Sequence, residues 1–270
     1  MGRGERAATV RPDGAVRVLG AGFWVVALFL MAPLVVIVGA SLTRSQFMGF
    51  PPEGLSLRWY AELAKSRDWM EAIRVTLMVA LASAVLATSV GFTLAVALER
   101  IRPRAGGVLF ALGVLPVLLP PVVAGVAFVI FFYQVGLRVG VAKLILAHAV
   151  IHSPFPLVLI RSALERIHPE MEEAAMNLGA GPVAVLRTVT VPLLASEVLA
   201  SLLFAFVLSL NEFIVAFLVS TFTVTTLPIQ IFSSLRYSYS PVIAAASTLF
   251  IAATFVIVYI VDRFTRGLWR

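Results

Sequence analysis

The chain has 270 residues, of which 60% are hydrophobic and 13% charged, and its mean hydropathy is +1.00. A soluble domain carries about 25% charged residues, so the composition excludes an ordinary soluble enzyme or binding module. Cysteine is absent, which excludes a disulfide framework and a thiolate metal site. The net charge of +7 does not point to nucleic acid, because basic residues flanking apolar blocks follow from membrane topology.

A helix crossing a bilayer needs about 20 apolar residues. In hydrocarbon only helices and closed barrels satisfy their own backbone groups, and the alternating ten-residue strands of a barrel are missing. The expected fold is therefore all-α, a polytopic membrane protein of about six transmembrane helices in one domain over 1–270. The apolar stretches fall near 18–41, 73–98, 107–133, 142–160, 193–219 and 241–262. The first is longer than a signal-peptide core and lacks a small-residue cleavage site, so it reads as a retained anchor.

Basic residues set the orientation. Arg3, Arg6, Arg11 and Arg17 precede span 1, and Arg100, Arg102 and Arg104 follow span 2. Arg161, Arg166 and Arg187 lie between spans 4 and 5, with Arg263, Arg266 and Arg270 at the end. All fall on one side of an even number of spans, which predicts that both termini are cytoplasmic. On the opposite side, loop 42–72 carries Pro51-Pro52 and the run Leu57-Arg58-Trp59-Tyr60. Those aromatic residues, with Tyr133, Tyr237 and Tyr239, read as anchors at the membrane interface.

The segment 161–192 is the informative non-spanning piece. Pro169 fits the first position of a helix. Glu170, Glu172 and Glu173 favour the positive end of its dipole. Gly179 and Gly181 stop that helix and Pro182 starts another. Met171, Ala175 and Leu178 recur on one face as a narrow apolar ridge. The pattern alone fits either a ridge that enters a groove on another protein or a connector lying on the membrane.

Glu173-Ala174-Ala175, three residues, Gly179, nine residues, then Val189, Thr190, Val191 and Pro192 resembles the EAA motif of bacterial ABC importer permeases. The family pattern is Glu-Ala-Ala, three residues, Gly, nine residues, Ile, one residue, Leu-Pro. Every spacing agrees, with Val189 replacing Ile and Val191 replacing Leu. His148 through Pro154, Leu208-Ser209-Leu210-Asn211-Glu212-Phe213, Thr226-Leu227-Pro228-Ile229-Gln230-Ile231 and Ser240-Pro241 are similar to spermidine/putrescine-type permeases. His168 departs from the acidic residue common there.

The resemblance implies a type I ABC importer permease fold in the bacterial inner membrane. It also implies that 161–192 is the coupling segment docking on an ATPase, through Glu172, Glu173, Ala174, Ala175, Leu178, Gly179 and Pro192. The implied partners are a homologous permease subunit forming a heterodimer, two ATP-binding subunits and an extracytoplasmic substrate-binding protein. The implied cargo is a small solute, foremost a polyamine, with an aminophosphonate, an opine or a ferric iron complex as alternatives. Gly179-Ala-Gly181-Pro182 lacks the lysine of a phosphate-binding loop. ATP and magnesium are accordingly expected on the partner ATPase, and this chain is expected to carry neither catalytic residues nor a cofactor.

Glu212 is the most convincing ionisable residue within a span, where such a group costs about 2.5–3.5 kcal/mol and usually faces a polar path. Ser201, Ala205, Ser209, Glu212 and Ala216 follow at helical spacing, a small and polar stripe that suits a translocation path or close helix packing. Glu212, Ser209 and Asn211 are the path candidates, although Asn211 points away from the stripe and reads as a bond between helices. His148 and His152, four apart, have metal-ligand spacing without a third ligand and read as polar packing. Pro116, Pro120 and Pro121 should bend span 3. An ATP-independent transporter would need several buried charges or a filter loop, and a membrane-embedded enzyme would need acids or histidines clustered across helices.

Overall fold

The computed structural model describes residues 14–220, 224–237 and 239–267. Arg3, Arg6, Arg11 and Arg270 lie outside them, as do the side chains of Arg17, Tyr237 and Arg266. The described residues form sixteen helical elements, fourteen α-helical and two π-helical, and, among them, one isolated bridge between Thr43 and Leu55. Three helices are long and apolar enough to cross a membrane unaided: Val18–Ser41, Arg67–Ile101 and Pro241–Ile260. Three bent pairs bring the number to as many as six.

The chain divides into two units, 1–62 with 239–248, and 63–238 with 249–270. The first holds α1 (Gly14–Ser41) and most of α2 (Arg58–Lys65). Along α1 the spanning window buries none of its residues within the chain, and a helix apolar all round belongs in a membrane. Loop 42–57 is tied back on itself: Arg44 N–H donates to the Glu53 carbonyl, and Ser56 N–H to the Leu42 carbonyl at 2.7 Å. Trp59 is buried, its indole N–H donating 2.8 Å to the Thr43 carbonyl. Ser41 Oγ and Tyr60 Oη are 2.7 Å apart. The Trp59-Tyr60 pair therefore clasps this loop rather than anchoring at the interface, because its polar atoms are used internally. Tyr133 and Tyr239 are exposed.

In the second unit α3 (Arg67–Val96) is the axis. Around it pack α6 (Gly140–His152), α7 (Pro154–Arg166), α11 (Ala195–Asn211) and α13 (Leu227–Tyr237). Its buried face is a run of small residues, Ala80, Ala84, Ala87, Gly91 and Ala95. Opposite lie Ser201, Ala205 and Ser209 of α11, all buried. Lipid gives no hydrophobic reward for helix association, so small residues that let backbones approach supply the packing. The stripe Ser201, Ala205, Ser209 is thus a packing surface. At Gly91 an added Cβ would stand 2.6 Å from the Leu157 backbone nitrogen, so only glycine permits that approach.

Two apolar clusters flank this axis. Val75, Val79, Phe132, Leu144, Val215, Val219 and Ile229 fill one end, joining α3 and α6 to α5 (Pro121–Gln134), α12 (Ile214–Ser220) and α13. Ala95, Leu98, Leu157, Ile160, Leu164 and Leu194 fill the other. The prolines of span 3 act unequally. Pro116 is accommodated inside α4 (Gly106–Leu118), whereas Pro120-Pro121 turns the chain by 107° into α5. The stretch 142–160 is α6 and α7, bent 42° at Ser153-Pro154.

Span 5 is not the continuous helix expected over 193–219. A 70° bend separates 182–193 from α11, and α11 ends at Asn211 before α12 begins at Ile214. Glu212 is extended, with φ −73° and ψ 113°, so it cannot continue the helical stripe to Ala216.

Candidate functional site

Within 161–192 the structure builds two helices joined by a glycine turn: α8 (Pro169–Asn177) and α9 (Pro182–Val185). Pro169 and Pro182 open them, where a missing N–H costs no helical bond. Gly179 has φ +91°. Its N–H donates to the Met176 carbonyl at 2.9 Å and that of Ala180 to the Ala175 carbonyl at 3.1 Å. This pair of bonds is a Schellman closure, which needs a left-handed residue at the turn. Nothing lies within 4 Å of a Cβ added there, so the glycine is demanded by backbone angle and not by space.

The two central glutamates of α8 face opposite ways. Glu173 and Ala174 are exposed, as are Met171, Met176 and Leu178, the last at 90%. Ala175 is half-buried. Glu172 is buried at 8% exposure. Its Oε2 lies 2.8 Å from Arg100 Nε, and Thr190 Oγ1 donates 2.8 Å to its Oε1. Arg100 stands in a π-helical turn, Ala97–Ile101, that extends α3. Thr190 stands in a second, Leu186–Thr190, that extends α9 and leads to Val191-Pro192 in α10 (Val191–Leu193). One carboxylate thereby ties the end of α3 and the approach to α11 onto α8.

Further ion pairs line the same end. Arg161 Nε is 2.7 Å from Glu99 Oε1, with its guanidinium 4.6 Å from the centre of the Phe110 ring, and Arg166 reaches Glu197 at 3.5 Å. Arginines that the sequence offers as topology markers are also the mortar between α3, α7 and the start of α11. Their partners were not legible, because charge counting along a chain ignores which helix ends meet.

The path candidates separate. Ser209 is buried, 2.9 Å from Ser83 Oγ on α3 and 2.7 Å from His148 Nδ1 on α6. The three groups form one buried hydrogen-bonded chain, in which Ser83 Oγ also lies 3.1 Å from the Ala80 carbonyl. His148 and His152 are both buried, with ring centres 5.8 Å apart, and their Nε2 atoms have no hydrogen-bond partner among the described residues. No group of three metal-ligating side chains occurs among the described residues. Asn211 is exposed, and its Nδ2 donates 2.8 Å to the Val207 carbonyl of its own helix rather than to a neighbouring helix. Glu212 Oε1 accepts the Val215 N–H at 2.9 Å, capping α12.

The described residues thus form a helical bundle with up to six candidate spans, in which segment 161–192 exposes Met171, Glu173 and Leu178 while Glu172 grips two helix ends from within. The chain belongs to the family of binding-protein-dependent transport system inner membrane components, which matches residues 87–269. It is thus the permease subunit of an ATP-driven ABC importer, a multi-pass inner-membrane transport component rather than an enzyme. It is 32% identical over 239 residues to the putrescine transport system permease protein PotI of Escherichia coli strain K12, covering 86% of this chain and 85% of that one. It is 30% identical over 243 residues to the spermidine/putrescine transport system permease protein PotC of Haemophilus influenzae, covering 90% and 94%. Its fold matches a chain of a bacterial ABC transporter that imports alginate, with a TM-score of 0.67 at 16% identity over 94% and 96% of the two chains.

Proposed function

We propose that this permease moves a polyamine of the putrescine or spermidine class, handed over by an external binding protein, through a path shared with a homologous permease subunit. The reading rests on the two relatives named for such substrates. Both termini and α8 lie on the cytoplasmic side in this reading, which the bias of flanking arginines to that side supports. Two separate ATP-binding subunits hold ATP and magnesium. The exposed face of α8, with Glu173, Ala174, Met171 and Leu178, docks into one of them. Its closure on ATP pulls α8 and opens the path outward, and hydrolysis resets it.

The observation that carries the coupling role is the division of labour on α8. Met171, Leu178 and Glu173 are exposed, while Glu172 fixes the helix to the bundle. Glu212 and Asn211, at the break of span 5, are the path groups of this proposal. A carboxylate there favours a cation over a neutral or anionic solute. Ser209, already held by Ser83 and His148, supports the wall and does not face the solute.

The test is uptake by proteoliposomes holding this chain, the sibling permease, the ATPase and the binding protein. Labelled putrescine or spermidine should accumulate only with ATP and binding protein. Accumulation of 2-aminoethylphosphonate or of ferric complexes instead would move the substrate class and keep the importer. Glu173→Arg should abolish binding-protein-stimulated hydrolysis; undiminished stimulation would remove α8 from the docking role.

A further inference from the structure

We infer that Arg100 and Thr190, through the buried Glu172 carboxylate, form the joint that passes motion of α8 to α3 and α11. The inference rests on the docking role proposed for α8. It adds two residues, neither of them on the docking helix.

Three observations carry it. First, Glu172 is reached from both sides of the bundle: by Arg100 at 2.8 Å from the end of α3, and by Thr190 at 2.8 Å from the segment entering α11. Residues 100, 172 and 190 share no local stretch, so the contact exists only in the folded bundle. Second, both partners stand in π-helical turns, Ala97–Ile101 and Leu186–Thr190. A π turn holds one extra residue in a helical register, is rare, and recurs at functional positions. Two of them converging on one carboxylate place a yielding turn directly behind each end of the joint.

Third, the joint is partly shielded, with side-chain exposures of 24% for Arg100 and 11% for Glu172. A charge-assisted bond in such surroundings is stronger than a surface pair and holds under load. The α3 helix it pulls is the axis around which α6, α7 and α11 pack. Movement of α8 is therefore delivered to the two helices whose small-residue faces meet at Ala84, Ala87 and Ala205. The roles differ along α8: Glu173 faces the partner, and Glu172 faces the load.

Arg100 and Thr190 are positioning residues, so the readout must separate coupling from assembly. In the reconstituted importer, Arg100→Glu, Glu172→Arg, the double swap, Arg100→Lys and Thr190→Val are compared for ATPase co-purification, binding-protein-stimulated hydrolysis and solute uptake. The single reversals should retain the ATPase subunits yet raise the ATP hydrolysed per solute by about tenfold, a common size for coupling between sites. The double swap and Arg100→Lys should return the ratio toward wild type, and Thr190→Val should raise it by a smaller factor.

If the single reversals keep the wild-type ratio, the joint is not a transmission element. If they fail to accumulate, the swap restores accumulation and Thr190→Val keeps the wild-type ratio, the pair only holds the fold and the inference is overturned. Failure of docking reads differently, since Glu173→Arg would then leave stimulation unchanged whatever the joint does.

Discussion

Ser83 of α3 and Ser209 of α11 place their hydroxyls 2.9 Å apart across 126 positions of sequence, inside a pocket closed by His148. The contact pins two helices that also meet at Ala84, Ala87 and Ala205. Ser209→Ala removes the middle member and leaves His148 Nδ1 without its partner. Loss of one buried hydrogen bond costs about 1–3 kcal/mol when a group is stranded, and about 0.6 kcal/mol on average between membrane helices. The unfolding temperature in detergent should fall for Ser209→Ala. Ser83→Ala on top should add less than it costs alone, because the two act through one network.

Gly91 gives a sharper steric forecast. An added methyl would sit 2.7 Å from Pro156 Cβ as well as 2.6 Å from the Leu157 nitrogen. Backbone cannot yield as a flexible side chain does. Gly91→Ala should therefore destabilise by about 1–3 kcal/mol, the usual range for overpacking, and Gly91→Val by more. Gly107, with nothing within 4 Å of a Cβ, should accept alanine without loss in the same thermal assay.

At Gly179 the cost is conformational. A non-glycine residue at φ +91° loses roughly 1–2 kcal/mol, so alanine and valine should loosen the turn after α8, valine more. Asparagine, which tolerates left-handed backbone, should be the mildest. Hydrogen exchange of the Ala180 amide, bonded to Ala175 at 3.1 Å, would report the order directly. Uptake should decline in the same order.

Glu212 has two separable duties. Its Oε1 caps α12 through the Val215 amide, which Glu212→Gln preserves and Glu212→Ala removes at a cost of about 1 kcal/mol. In the path reading, Gln also removes the charge that favours a cation. Glu212→Gln should then leave the unfolding temperature unchanged and raise the KM for a polyamine. An unaltered KM would reduce Glu212 to a cap.

Much of this architecture is legible from residues. The apolar stretches mark the helices, and Pro169, Gly179 and Pro182 mark the bounds of α8 and the start of α9, because proline and glycine act through local backbone terms. What escaped depends on direction and distance. Glu172 and Glu173 are adjacent carboxylates about 100° apart on a helix, and no local rule tells which turns inward. Ser209 sits on a stripe that fits a path or a seam equally, until Ser83 is seen opposite. The π turns at Ala97–Ile101 and Leu186–Thr190 have no composition signal, and the break at Glu212 is masked by uninterrupted hydropathy on both sides. The clasp at Trp59 has no local signal either, since the Thr43 carbonyl that takes its N–H is sixteen residues away.

The interruption between Asn211 and Ile214 carries a chemical corollary. A helix severed at bilayer depth leaves carbonyls that hydrocarbon will not tolerate. Asn211 answers one by folding onto Val207, and Ser209 receives the Glu212 amide at 3.3 Å. Any left over must meet protein polar groups or water, and the path proposed for Glu212 and Asn211 predicts water at this stretch. Because the native chain has no cysteine, a single thiol placed at 211 becomes a silent-background dipstick. Its alkylation by a membrane-impermeant maleimide, applied from each face in turn, would chart the wetting of the passage through the transport cycle.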